Sequence, residues 1–328
     1  DNCYHIIYTG DQTAVSQAGI DGFVISGGYA SGSGYDLDRG AGIYGRFEGL
    51  TLANCIIQDN IARRDGGGAY IRGDNNSLLD CVFIENVGAG NGGGLYIVGD
   101  NLLLRDCSFI ENYCEDNSYY YYDSDISAGG GVHIGGKGNK VLGCIFEGNY
   151  IHVQYYYYSN LAAFGGGASI TGEDFTMTDC SFDRNWIWVL SSSNSIGIGG
   201  ALALEIQGGV INNCVFNSNS TSSPYTYFIG GGAVFWTGQE ITISNCVFWD
   251  NYEGVISNVA FFYGLTNESL NIINSTFQGN RPPSSTGIIN TINDWTTLNI
   301  QNCILWNESE VEITANDAQV TVSYSDVQ

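Results

Sequence analysis

The sequence predicts an all-β chain folded as a single parallel β-helix, a solenoid of about ten coils, and three observations carry that expectation. The first is a repeat. A Cys-any-Phe core with Asn five residues after the Cys can be laid in register nine times, at Cys55, Cys81, Cys107, Cys144, Cys180, Cys214, Cys246, Ser275 and Cys303. The spacings are 26, 26, 37, 36, 34, 32, 29 and 28 residues. A recurring unit of that length must stack, because one copy cannot bury its apolar face alone. The second is a pair of apolar columns. Three residues before the Cys stand Leu52, Leu78, Leu104, Val141, Met177, Ile211, Ile243, Ile272 and Ile300; two after it stand Ile57, Phe83, Phe109, Phe146, Phe182, Phe216, Phe248, Phe277 and Leu305. Alternating apolar positions in short runs read as strands. The third is the absence of any segment with ten residues of helical periodicity, in a chain with 46 Gly and 3 Pro.

Residues 1–54 are expected to form irregular opening coils, 55–280 the regular coils and 281–328 looser terminal ones, all within one domain. Six corners read GGG or GGA, as at Gly66 to Gly68 and Gly92 to Gly94, and the step from the third Gly to the Cys is 13 residues at Gly68, Gly94, Gly131 and Gly167. Length varies after the Asn instead. Five residues separate Asn60 and Asn86 from the next Gly triplet, but 16 follow Asn112, 15 follow Asn149 and 13 follow Asn185. Insertions in a solenoid map to one face, often the binding face. These are aromatic: Tyr119, Tyr120, Tyr121 and Tyr122, then Tyr155, Tyr156, Tyr157 and Tyr158, then Trp186 and Trp188, then Tyr225 and Tyr227. They are expected to project as ordered loops from one corner, either as a recognition surface or as a lobe packed on the solenoid's flank.

Eight of the ten cysteines fill the repeat column, and Ser275 replaces the ninth. A column that accepts Ser does not need a thiol, so these cysteines read as small buried residues, reduced rather than paired. Cys3 and Cys114 lie outside the column.

The net charge of −24, from 34 acidic and 10 basic residues, makes nucleic acid and anionic membrane surfaces poor partners. No apolar run reaches membrane-spanning length. The chain opens without a signal-peptide pattern, which is expected of a processed chain or a piece of a longer one. Neither HIIY (His5 to Tyr8) nor VTVSY (Val320 to Tyr324) is followed by a cap. The open ends suggest a longer polypeptide or copies stacked end to end.

The GGA-plus-aliphatic corners, together with Phe residues three before an Asn as in Phe83–Asn86 and Phe109–Asn112, resemble the repeats of polymorphic outer-membrane proteins and related right-handed β-helix surface proteins. The likeness covers roughly residues 20–328. It implies a right-handed coil, an extracellular or cell-surface location, and a buried ladder of Asn60, Asn86, Asn112, Asn149, Asn185, Asn219, Asn251 and Asn280. The Tyr-rich insertions are not part of that pattern.

Chemistry is sparse. A uronate lyase needs a strong base beside acidic residues, but the ten basic residues are scattered. A galacturonase-like hydrolase needs clustered carboxylates on one face. The inferred outward column two after the Gly corner instead holds Tyr44, Tyr70, Tyr96, His133, Ser169 and Ala203. Only His133 with Lys137 looks catalytic. Tyr44, Tyr70 and Tyr96 are expected to stack as an exposed ladder, either offering flat faces to sugar rings or only stabilising the sheet. Glu115, Asp116, Asp123 and Asp125 lie within one insertion with oxygen ligands that would suit calcium, though not in EF-hand spacing. The expectation is a structural or adhesive surface protein whose partners are further copies of itself, a surface polysaccharide or another protein. A carbohydrate-active enzyme or glycan-binding module is the alternative.

Overall fold

The computed structural model describes residues 3–32, 36–116, 126–155, 162–191, 196–222, 228–259, 268–282, 287–292, 296–307, 311–316 and 318–327. Among them there is no helix, and each strand pairs in parallel with strands from the coil before or after it, in four sheets of nineteen, eleven, seven and four strands. The chain is a parallel β-solenoid. The first sheet carries the strands that follow each Gly corner and those that precede each Cys. In three consecutive coils, at Ala168–Thr178, Leu202–Asn212 and Val234–Ser244, these merge into single strands of 11 residues. The second sheet carries the Cys-x-Phe strands, and the third carries the strands that follow the Asn.

The columns inferred from the sequence are the register of the sheets. Leu52, Leu78, Leu104, Val141, Met177 and Ile211 are direct neighbours from coil to coil. So are Phe83, Phe109, Phe146, Phe182, Phe216, Phe248 and Phe277. Their rings stack with centroids 4.4–5.2 Å apart and none is exposed. That spacing is the distance between neighbouring strands, so stacking rings and closing the backbone ladder are one geometric condition.

Each coil turns through positions with positive φ. One lies before the Cys (Asn54, Asp80, Asp106, Gly143, Asp179, Asn213) and one before the Asn (Asp59, Glu85, Glu111, Gly148). A third is the first Gly of each triplet, such as Gly92 at φ +67°. The second Gly is required for a different reason. A Cβ on Gly67 would lie 2.3 Å from the Val87 carbonyl oxygen of the next coil, so any larger residue would push the coils apart.

The Asn ladder runs through the interior. Each Asn Oδ1 accepts from both the backbone N–H and the Nδ2 of the Asn one coil earlier, at 2.9–3.2 Å from Asn60 to Asn307. The second Nδ2 hydrogen goes to a carbonyl of the coil before, as from Asn112 to Phe83 at 2.8 Å. Asn307 joins although its step from the Cys is one residue short. Beyond it the buried Glu312 carboxylate accepts from the Asn307 N–H (3.1 Å) and Nδ2 (2.8 Å), closing the series.

The Cys column is buried, and its eight thiols are free. Most of them donate to the carbonyl two residues back, as Cys81 does to Leu79. Ser275 makes the same bond to Ile273 at 3.0 Å, and Ser325 to Ser323 at 2.9 Å, so the column extends one rung past the last Cys. Burial raises the thiol pKa at Cys55 and Cys303.

Two corrections concern the insertions. Trp186 and Trp188 lie in the strand Trp186–Ser191 of the third sheet, not in a loop, and Tyr155 ends the strand Tyr150–Tyr155. The insertions also supply the fourth sheet, made of Ile126–Ala128, Ala162–Phe164, Ile196–Ile198 and Phe228–Gly230, which the sequence pattern does not reveal. Tyr119, Tyr120, Tyr121, Tyr122, Tyr156, Tyr157, Tyr158, Tyr225 and Tyr227 lie outside the described residues.

Two outcomes are expected. Asn112→Ala orphans the Asn86 N–H, the Phe83 carbonyl and part of the Asn149 amide at once. Urea unfolding should show a loss on the order of 3–5 kcal/mol, and a loss under about 1 kcal/mol would show that the ladder does not hold the coils. In thiol titration the eight column cysteines should stay unreactive in the native protein and react on denaturation. Disulfides among them in a non-reducing mass map would contradict the burial argument.

Candidate functional site

Besides the interior Phe column, the described residues form two aromatic ladders along the solenoid, and they differ in what covers them. The expected Tyr ladder forms: Tyr8, Tyr44, Tyr70, Tyr96 and His133 stack with centroids 5.6, 5.3, 4.7 and 5.1 Å apart. It is not the exposed platform that the alternation suggested. Tyr44 is only 2% exposed, and Tyr70 and Tyr96 are half-buried. The cover comes from the opening coils, with Tyr44 donating to Asp36 at 2.8 Å and the Arg39 guanidinium 5.8 Å above the Tyr70 ring. Arg39 is fixed by Asp65 at 2.8 Å and Asp38 at 3.3 Å. Burial pushes the Tyr70 phenol up to about 12.

His133 and Lys137 do not make a catalytic pair. His133 stacks on Tyr96, while Lys137 reaches Glu173 at 3.0 Å and Asp174 at 3.3 Å on the surface. Burial pulls the His133 pKa from 6.5 to about 4, against the opposing charge of Asp65.

The second ladder occupies the position just after the Asn. Tyr113, Tyr150 and Trp186 are register partners and stack face to face in series, with centroids 4.6 and 4.4 Å apart and planes within 5° of parallel. Two residues further along the same strands, His152 stacks on Trp188 at 4.8 Å. The sequence reading placed Trp186 and Trp188 among loop aromatics and did not see that Tyr113 and Tyr150 stand in register with Trp186. The signal was available: all three directly follow a ladder Asn.

An open groove of about 570 Å³ runs over this ladder, and Asp59, Glu85 and Glu111 line its edge from the left-handed corners before each Asn. From Asp59 to Trp186 it crosses five coils, roughly 19 Å at the strand spacing. Burial raises the phenol pKa of Tyr113, and that of Tyr150 to about 12, with Glu115 adding to both. No basic side chain lines the groove. Its charged lining is acidic: Asp59, Glu85 and Glu111.

Glu115 lies in the third-sheet strand with its carboxylate 3.9 Å from His152 Nδ1, and Asp116 ends that strand. Asp123 and Asp125 lie outside the described residues. Among the described residues no three His, Cys, Asp or Glu side chains converge as a metal site, and no helix is long and apolar enough to cross a membrane. No protein-family model matches the chain, and no curated protein matches it either.

The His133 environment predicts a pH dependence of stability. Between pH 6.5 and about 4 the unfolded imidazole binds a proton that the folded one does not. Stability is therefore full above pH 6.5 and falls toward pH 4, by on the order of 2–3 kcal/mol from this group. Denaturation of the wild type and of His133→Phe across that range isolates the contribution. Equal slopes for the two proteins would refute it.

Proposed function

We propose that this chain is a non-catalytic recognition module of an extracellular, adhesive surface protein, binding an extended neutral or cationic polysaccharide along the solenoid axis. The observation that carries the reading is the Tyr113–Tyr150–Trp186 stack in an open groove. The rings face one another, so the groove is lined by a strip of ring edges and phenol hydroxyls that gives repeated apolar and hydrogen-bonding contact to an extended chain, and the row of carboxylates beside them supplies hydrogen-bond acceptors. Three of the Tyr- and Ser-rich insertions begin where strands of this sheet end, so Tyr119 to Tyr122 and Tyr156 to Tyr158 are candidates to extend the contact. The likeness of the GGA and Phe-x-x-Asn repeats to right-handed surface β-helices favours the extracellular location.

Binding is favoured over hydrolysis because Asp59, Glu85 and Glu111 share one edge of the groove. A glycosidase needs two carboxyl groups flanking the scissile bond. Calcium held by Glu115, Asp116, Asp123 and Asp125 would be an accessory to this face rather than a reagent.

Affinity electrophoresis against neutral glucans and mannans, chitosan and polygalacturonate tests the proposal. Retardation is expected with a neutral or cationic polymer and not with polygalacturonate. Trp186→Ala should weaken binding about tenfold, the loss of one aromatic contact. Release of reducing or unsaturated ends would sink the non-catalytic reading, and unchanged affinity in Trp186→Ala would sink the groove.

A further inference from the structure

The covered ladder changes character beyond His133. Its next two register positions are Ser169 and Ala203, and a ring returns only at Phe235. Where the column lacks two rings the protein holds a cavity of about 210 Å³, with His133 and Phe235 among its walls. Phe164, from the fourth sheet, also lines it and lies 6.5 Å from the Phe235 ring. Ser169 and Ala203, 5% and 4% exposed, form the deep part of the slot, and its mouth opens to solvent beside the exposed Glu205.

Two polar atoms of the wall lack partners. His133 Nδ1 and the Oγ1 of Thr237, a residue 2% exposed, are buried without a hydrogen bond. Native proteins leave few such atoms, because each loses its hydration without compensation. A slot shaped by missing rings and carrying two unspent polar atoms is a site waiting for a ring that has hydrogen-bonding groups.

We propose that the slot binds one neutral aromatic ring bearing one or two polar groups, a phenol or an indole, lodged in the roughly 14 Å between His133 and Phe235 and stacked on one of them. The ring would continue the ladder, with its polar group meeting His133 Nδ1 or Thr237 Oγ1. The volume holds about seven waters at roughly 30 Å³ each, enough for one substituted ring and below the roughly 300 Å³ where drug-sized pockets begin. A sugar ring has more hydroxyls than the walls have unspent partners. An anion would meet Glu205 at the slot and no basic residue there. This site is separate from the Tyr113–Trp186 groove and does not rest on its assignment.

Calorimetry and ligand-detected NMR on the full chain, with p-cresol, indole and methyl glucoside as probes, test the proposal. Saturable binding of p-cresol or indole is expected, with the His133 imidazole signals displaced by the ring current. Ala203→Phe puts a ring back into the column and should weaken binding at least tenfold. Thr237→Val should weaken it severalfold, and Trp186→Ala should leave it unchanged. Should Ala203→Phe fail to fold, Ala203→Leu serves as the blocking variant. The proposal is overturned if neither arene saturates, if only the glucoside binds, or if folded slot variants bind like the wild type.

Discussion

A buried amide that bonds to its own image one coil away sets the register of this molecule. Asn86 and Asn112 are 26 residues apart and Asn112 and Asn149 are 37, yet both pairs make the same two hydrogen bonds within 0.2 Å. The ladder is indifferent to what lies between rungs. It is intolerant of a slip at the rung itself, because a displaced Asn would leave several buried donors and acceptors unpaired. A one-residue slip would also turn the Phe column outward. The long aromatic insertions fall between the Asn and the next Gly triplet, and a further seven residues are accommodated between Ile256 and Ile272, where the register partners Val234 and Ile243 are nine apart; in each place the Asn, Cys and Phe columns are not interrupted.

Stacking in register turns one residue type into a ladder, and what covers the ladder decides its use. The Tyr44 and Tyr113 series have the same rung spacing, fixed by the backbone. The first is closed off by Asp36, Arg39 and His5 from the opening coils, and its rings add to the stability of that end. The second lies along an open groove with carboxylates at its edge. Identical geometry thus yields a structural element on one face and a candidate binding surface on another, and residue identity alone does not distinguish them.

The coil-to-coil register was legible in the sequence because it rests on residues that recur: the Leu/Ile and Phe columns, the Cys column and the Asn ladder each repeat with fixed offsets. What could not be read rests on residues that occur once. The cover over Tyr44 and Tyr70 comes from a segment around Asp36 to Arg39 with no counterpart in later coils. The fourth sheet is built from short strands inside insertions too brief to show alternation. Glu312, which ends the Asn ladder, lies five residues after Asn307 in a coil whose spacing has loosened. The groove was half-legible: its aromatics follow the ladder Asn, but insertion length drew attention to the segments beyond them.

The backbone at the groove edge bears on what the groove is for. Most left-handed corners of the regular coils use Gly, Asn or Asp, which adopt positive φ at little cost. Glu85 and Glu111 take φ values of 53° and 51° at the corner before the Asn, where other coils place Gly148, Gly279, Asp59 or Asp250, and where Arg184 and Ser218 stand at 52° and 53°. A longer side chain in that region costs on the order of 1 kcal/mol, and neither Glu gains a buried contact, since both corners are exposed. Stability therefore does not explain them. With Asp59 they set three carboxylates on consecutive coils beside the start of the aromatic stack, and the run ends where Arg184 takes the same corner on the coil of Trp186 and pairs with Glu147. The proposed preference for a neutral or cationic ligand therefore rests on the lining of the groove as a whole and not on backbone strain.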